Sequence, residues 1–284
     1  MKKCINCGEN NYSKYDPKFS IYRCKNCKLY FCKDVKFNKN FESSLDENSR
    51  VEALKNLRFN NYKKIIANIK KFNLKIGLEI GSSYGWFLDI AKENDIECIG
   101  IEPELTSYKL SIEKKHTVIN GFYPDESLKK QFDFIIFNDV FEHIPNLEDV
   151  MKENYNILNE KGMLIINIPM STGIFFIIAK IMYYLRFKKL FNRLWQFDFH
   201  SPHYYYFNKN NLSNFVKKYG FEFLDEHKVD VLDFSNIEKR VKMSGEIDFL
   251  GKIFIKISKY KFIEKIFNIL PSDTKCFYFR KINR

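Results

Sequence analysis

The chain has 284 residues, 45% hydrophobic and 17% aromatic, enough for a substantial buried core in one large domain with a small appendage. Its formal charge of +12 comes with abundant Asn, Ile and Phe, a bias that an AT-rich coding sequence produces, so a solvated basic surface is favoured over a dedicated nucleic-acid site. The opening MKKCINCGEN has neither an apolar core nor a small-residue cleavage site; no secretory signal is expected, and a cytoplasmic location is.

In chain order, residues 1–40 read as a zinc-ribbon-like segment. Cys4-x-x-Cys7 and Cys24-x-x-Cys27 each present two thiolates on a turn, and short β-like runs, FSIYRC and KLYFC, surround them. Two such knuckles supply the four soft ligands that tetrahedral Zn²⁺ takes, and they leave no open position for water, so the expected role is structural or partner-docking. The alternative is four buried free thiols. Residues 41–73 form a link, with a helix expected over 45–73 from its apolar spacing and acidic start. From residue 74 to the end, strands are predicted at 76–81, 97–102, 117–120, 132–138 and 163–168, and helices at 85–94, 104–114 and 147–159. Gly162 in NEKGM reads as a helix stop. Short apolar strands alternating with helices predict an α/β, doubly wound, Rossmann-like parallel sheet covered on both faces. Two aromatic, basic insertions follow, at about 173–199 and 235–270. The apolar run of the first is too short to span a bilayer and contains Lys180, and both read as a lid over the site or as helices lying on a membrane surface, the lid being favoured. TKCFYFRKI closes the chain as a last strand.

The stretch KIGLEIGSSYGWFLDIAKE is a strand, a glycine turn and a helix, which places a ligand at the strand ends against a helix N-terminus. Glu102, followed by Pro103, stands about 20 residues on, where a carboxylate accepts from two vicinal ribose hydroxyls. The turn runs Gly81-Ser82-Ser83-Tyr84-Gly85, without the middle glycine of a dinucleotide fingerprint, and no phosphate-gripping G-x-x-x-x-G-K-[ST] occurs elsewhere. An adenosine without phosphate fits these residues.

Taken in order, LEIGSSYGWFL, GIEPE, FDFIIFNDVFEHIPN, LNEKGMLIINIP and HYYYFNKNNLSNFVKKYGFEF resemble the class I S-adenosylmethionine-dependent methyltransferases, and within them a broad small-molecule and sugar subgroup whose members often carry an N-terminal cysteine ribbon. The resemblance spans about residues 74–230 and implies roles. Glu79, Gly81, Ser82, Ser83 and Gly85 would line the methionine part of the cofactor, Glu102 and Pro103 the ribose, Gly121 and Phe122 the adenine, and Asn138 and Asp139 the sulfonium side. Ser83 departs from the family's usual middle glycine. A rival reading takes Gly81-Ser82-Ser83-Tyr84-Gly85 as the G-x-S-x-G elbow of an α/β-hydrolase with Ser83 as nucleophile, which leaves Glu102 without a use.

Methyl transfer from a sulfonium needs alignment of the acceptor and exclusion of water, and a base where the acceptor is a hydroxyl. His143, His200 and His203 are the candidate bases, and loop-anchoring hydrogen bonds are the alternative role. Tyr204, Tyr205 and Tyr206 would equally make an acceptor wall. By the resemblance, the expected reaction is O-methylation of a small-molecule or glycan acceptor in surface polysaccharide or related biosynthesis, with structural zinc and peripheral membrane contact through the basic aromatic helices. An RNA methyltransferase using the basic surface and a non-catalytic scaffold are the competing classes.

Overall fold

In the computed structural model, residues 3–16, 20–33, 47–197, 201–232 and 269–283 are described, together with Lys256 and Phe267. Alternation along the strands sets the layers. In β7 (Phe132–Asn138), Phe134 and Ile136 face one side of the sheet, Ile135 and Phe137 face the other, and all four are fully buried. That two-sided burial is what a parallel sheet between helical layers requires.

The sheet has seven strands in the order β10-β11-β8-β7-β4-β5-β6. Here β4 is Ile76–Ile80, β5 Glu97–Ile101, β6 Val118–Ile119, β8 Leu158–Pro169, β10 Phe221–Val229 and β11 Thr274–Lys281. The pairings from β6 through β8 are parallel, and β11 runs antiparallel to both of its neighbours. On one face, α1 (Glu47–Lys71) and α2 (Trp86–Glu93) pack. Tyr62, Ile65, Ile66 and Ile69 of α1 are buried at helical spacing against Phe87 and Ile90 of α2 and against Phe134 and Ile136. On the other face lie α4 (Leu147–Ile157) and α7 (Lys209–Lys217), which bury Val150, Met151, Leu212 and Phe215. Because β4 has β5 on one side and β7 on the other, the strand order reverses there, and in open α/β sheets the carboxyl ends of the strands at such a reversal are where a ligand crevice lies.

The α/β expectation therefore holds in its elements, with one local correction. Residue Gly162 does not stop a helix: α4 ends at Ile157 and β8 begins at once. The pairing with β7 jumps from Phe132↔Leu158 to Phe134↔Met163, so residues 159–162 form a bulge, with Lys161 in the left-handed region at φ 59°.

The cysteine segment builds a second sheet from β1 (Tyr12–Asp16), β2 (Ile21–Cys24) and β3 (Tyr30–Cys32), and β9 (Tyr205–Tyr206) completes it. Register partners Tyr30↔Tyr206 and Phe31↔Tyr205 join the two parts. At the end of β3, Cys32 N–H donates to the Tyr204 carbonyl (2.9 Å) and Cys32 Sγ to the His203 carbonyl (3.2 Å). Ile21, Leu29, Tyr30 and Phe31 are buried in the same apolar cluster as the α4 side of the large sheet. These contacts make the ribbon a wall of the main domain.

Residues 173–199 fold as α5 (Ile174–Tyr184) and α6 (Lys189–Leu194). Their inner side chains pack on the ribbon and β9, with ring centroids 5.1 Å apart for Phe176–Tyr30, 4.8 Å for Phe176–Tyr206 and 5.3 Å for Phe191–Tyr15. Ile177, Ile178, Ile181, Leu185, Phe187 and Leu190 remain exposed on the outer side. Among the described residues, no helix is long and apolar enough to cross a membrane. The second predicted insertion, 235–270, lies almost wholly outside the described residues.

Candidate active site

The turn after β4 is built from left-handed backbone. Gly81, Ser83 and Gly85 have φ of 72°, 47° and 70°, a region in which glycine is unstrained. Gly81 also has no room for a side chain: a Cβ there would stand 2.6 Å from Val140 Cγ2, a side chain of the loop after β7. The turn and that loop are thus pressed together at the crevice. Glu102, 6% exposed at the end of β5, clamps the turn from the other side. Its Oε2 accepts from Ser83 N–H (2.7 Å) and its Oε1 from Glu104 N–H (2.8 Å), leaving one lone pair on each oxygen. Burial raises its pKa, and the two backbone donors work against that rise.

Between the turn and β7 the interior is polar. Glu79, 1% exposed, accepts from Asn138 Nδ2 (2.9 Å) through Oε1. Burial pushes its carboxyl well above the usual range. Glu79 Oε2, Ser82 Oγ, Asn138 Oδ1 and both side-chain polar atoms of Asn167 are buried without a hydrogen-bond partner among the described residues. Asn167 and Asn138 are register partners at the carboxyl ends of β8 and β7, Asn138 bonds Glu79 of β4, and Ser82 Oγ stands over Gly100 of β5. Buried polar atoms in native proteins are nearly always satisfied, so these atoms are available to a polar ligand or to ordered water.

Asp139 follows with φ 52°, and its N–H donates to the Asn167 carbonyl (3.0 Å). Its carboxylate is ion-paired with Arg58 of α1, which bridges the crevice. Reasoning from sequence missed Arg58. The available signal was its place one turn before Tyr62 on the apolar stripe of α1, where a charged residue needs a partner.

Just beyond, Glu142 and His143 meet His203. Glu142 was also missed, although it precedes a singled-out histidine. It is 1% exposed, burial pushes its carboxyl up to about 8, and its Oε2 has no hydrogen-bond partner among the described residues. His143 Nδ1 lies 3.1 Å from the Pro202 carbonyl, and His203 Nδ1 lies 2.9 Å from Tyr206 Oη, whose hydroxyl donates to the Leu194 carbonyl (2.7 Å). Burial lowers both imidazoles, His143 to about 4, so both are neutral near pH 7. Their rings are edge to face at 4.6 Å.

Of the other expected residues, Gly121 N–H donates to the Glu102 carbonyl (3.3 Å), while Phe122 stands 80% exposed beside it and Pro103 is exposed. Tyr204, Tyr205 and Tyr206 do not form an open wall: all three are buried, with the Tyr205 and Tyr206 hydroxyls donating to the carbonyls of Pro145 and Leu194. His200 lies outside the described residues. Cys4, Cys7, Cys24 and Cys27 converge, with Sγ–Sγ distances of 3.6 Å for Cys4–Cys27 and 3.4 Å for Cys7–Cys24, and all four within 4.8 Å of one another.

This glycine cradle at a topological switch point, with a carboxylate at the second strand end, defines an adenosine-binding α/β enzyme. A family model described as a methyltransferase domain matches residues 54–226, and the chain belongs to that family. Among solved structures it is similar to a methyltransferase from Galdieria sulphuraria (17% identity, TM-score 0.51, covering 78% of this chain and 84% of that one). It is also similar to a SAM-dependent methyltransferase from Thermotoga maritima (18%, 0.50, 83% and 95%). A third likeness is to the plantazolicin methyltransferase BpumL in complex with S-adenosylhomocysteine (13%, 0.52, 87% and 92%). At these identities the likeness is one of fold. No curated protein matches the sequence. The protein is an S-adenosylmethionine-dependent methyltransferase, and the hydrolase reading of Ser83 gives way to that assignment.

Proposed function

We propose that the enzyme methylates a hydroxyl of a small-molecule or glycan acceptor, as in surface polysaccharide or related biosynthesis. The observation that carries this reading is the arrangement along one crevice. The orphaned atoms of Glu79, Ser82, Asn138 and Asn167 lie at the strand ends, and the Glu142–His143–His203 cluster lies immediately beyond Asp139. In this reading the first set holds the cofactor's amino-acid end and Glu102 holds its ribose. Gly121 and the exposed Phe122 close over adenine, and the Glu142 cluster activates the acceptor. The cofactor supplies an electrophilic methyl group. The residues position a hydroxyl in line with it and keep water out. As the acceptor oxygen bonded to that methyl carbon, the carbon–sulfur bond would break with its electron pair on sulfur, and the hydroxyl proton would pass to the imidazole of His143 or His203.

Cys4, Cys7, Cys24 and Cys27 hold structural zinc in this account. Their spacing is close to the roughly 3.8 Å edge of a tetrahedral site with Zn–S of about 2.3 Å. The exposed apolar row of α5 and α6, interleaved with Lys180, Arg186 and Lys188, supports peripheral contact with an anionic membrane that would present a lipid-linked acceptor.

The test is transfer of labelled methyl from S-adenosylmethionine to a panel of nucleotide-linked sugars, lipid-linked sugars and structured RNA. Base-stable label on a sugar supports the proposal. Label on RNA alone refutes it and favours the competing class.

A further inference from the structure

The Glu142 cluster presents three groups that accept and at most one proton to share among them, that of the Glu142 carboxyl. Tyr206 donates its single hydroxyl proton to Leu194, so it accepts from His203, and His203 carries its proton on Nδ1. His143 likewise carries its proton on Nδ1, because the Pro202 carbonyl accepts only. Both Nε2 atoms are therefore bare lone pairs. They face the same carboxylate oxygen, Glu142 Oε1, at 4.0 Å from His143 and 3.9 Å from His203, too far for hydrogen bonds. The other oxygen, Oε2, is buried and without a hydrogen-bond partner among the described residues, and the nearby Arg58 is ion-paired with Asp139. A single proton on Glu142 could satisfy at most one imidazole, and only after the pair had closed by about 1 Å.

We propose that Glu142, His143 and His203 form a second metal centre, distinct from the four cysteines, which binds a divalent transition ion such as Zn²⁺. Two imidazole nitrogens and one carboxylate oxygen are a donor set for Zn²⁺ or Fe²⁺, and three protein ligands leave a coordination position open. The remaining ring N–H of each histidine is already held by an oxygen acceptor, the support that fixes the tautomer and aim of a ligating imidazole. Ligand atoms within 4.8 Å of one another need only contract to the roughly 3.4 Å edge set by metal–ligand distances of about 2.0–2.2 Å. His203 lies two residues before β9, where its carbonyl accepts from Cys32 Sγ of the ribbon, and Glu142 follows Val140, the residue pressed against the glycine turn, so the site lies between the ribbon and that turn. Resting on the hydroxyl-acceptor reading, the open position receives the acceptor oxygen, and the bound ion takes the place of a free imidazole base in lowering its pKa.

The test is metal content and Co²⁺ spectroscopy on the full chain, stripped with chelator and dialysed against Zn²⁺ or Co²⁺. Two ions per chain are expected in the wild type. His203→Gln and His143→Ala should keep one, together with the intense thiolate-to-cobalt band of the cysteine site, which also reports that the ribbon is folded. Glu142→Gln should weaken the second ion at least tenfold. A single ion carrying only the thiolate signature, or a second ion bound equally by wild type and Glu142→Gln, overturns the proposal. A second ion retained by a protein that methylates no hydroxyl would refute the acceptor reading and leave the metal centre standing.

Discussion

Gly81→Ala probes how tightly the cofactor turn is locked against the loop after β7. Two penalties add. At φ 72° a residue with a Cβ sits in the left-handed region, at about 1–2 kcal/mol. The new methyl would also stand 2.6 Å from Val140 Cγ2, well inside the ~3.5–4.0 Å carbon–carbon optimum. Relieving such an overlap by moving backbone costs about 1–3 kcal/mol, so the sum is about 2–5 kcal/mol. Val140 is half-buried, and Val140→Ala alone should cost only about 1 kcal/mol. The double variant removes the overlap and keeps the φ penalty, so a double-mutant cycle in urea denaturation should return a coupling of about 1–3 kcal/mol in favour of the pair. A loss below about 1 kcal/mol for Gly81→Ala, or additivity of the two changes, would refute the claim that turn and loop are in contact here.

Other consequences follow from the same geometry. Removing the zinc proposed at the four cysteines, by Cys24→Ser, should release β3 from β9 and with it His203. Turnover should fall more than tenfold while S-adenosylhomocysteine affinity, set by β4, β5 and β7, changes little; full turnover without the ribbon metal would contradict the coupling. Arg58→Met removes a partly buried ion pair worth about 1 kcal/mol of stability, and by freeing Asp139 it should weaken cofactor binding more than fivefold, which titration calorimetry would detect. Asp273 accepts from Phe175 N–H at the start of α5, and burial raises its carboxyl to about 6 from 3.8. The folded state keeps that proton between pH 3.8 and about 6 while the unfolded chain has lost it, so this group's contribution to stability falls as pH rises through that window. Asp273→Asn keeps an acceptor oxygen and removes the titration. Urea midpoints should then show a gain over wild type at pH 7.5 that vanishes near pH 3.5, and an equal effect at both would refute the assignment.

Much of the parallel half was legible because strand length and apolar run coincide. The predicted strands 76–81, 97–102 and 132–138 are observed as Ile76–Ile80, Glu97–Ile101 and Phe132–Asn138. The glycine turn and Glu102 were legible because φ and ribose chemistry restrict residue type. What escaped was determined by long-range packing. A two-residue strand, Tyr205–Tyr206, has no period of its own, so its pairing with the ribbon left no local trace, and the tyrosines read as an open wall when they are core. Gly162 was read as a helix stop because glycine serves both helix ends and bulges. Arg58 and Glu142 belong to the site through partners 81 and 61 residues away, Asp139 and His203, and neither sits in a spacing pattern that would announce it.

Calorimetric titration with S-adenosylhomocysteine, of the wild type and of Glu102→Gln, shows whether the glycine turn and Glu102 hold the cofactor. Glu102→Gln keeps the size of the side chain but removes the charge from the group proposed to accept from the ribose hydroxyls, and a hydrogen bond to a charged group is worth about 1.5–3 kcal/mol. One micromolar site per chain is expected, weakened roughly 10- to 100-fold by the substitution. No binding by the folded wild type, or equal affinity in the two proteins, would contradict the assignment of this crevice.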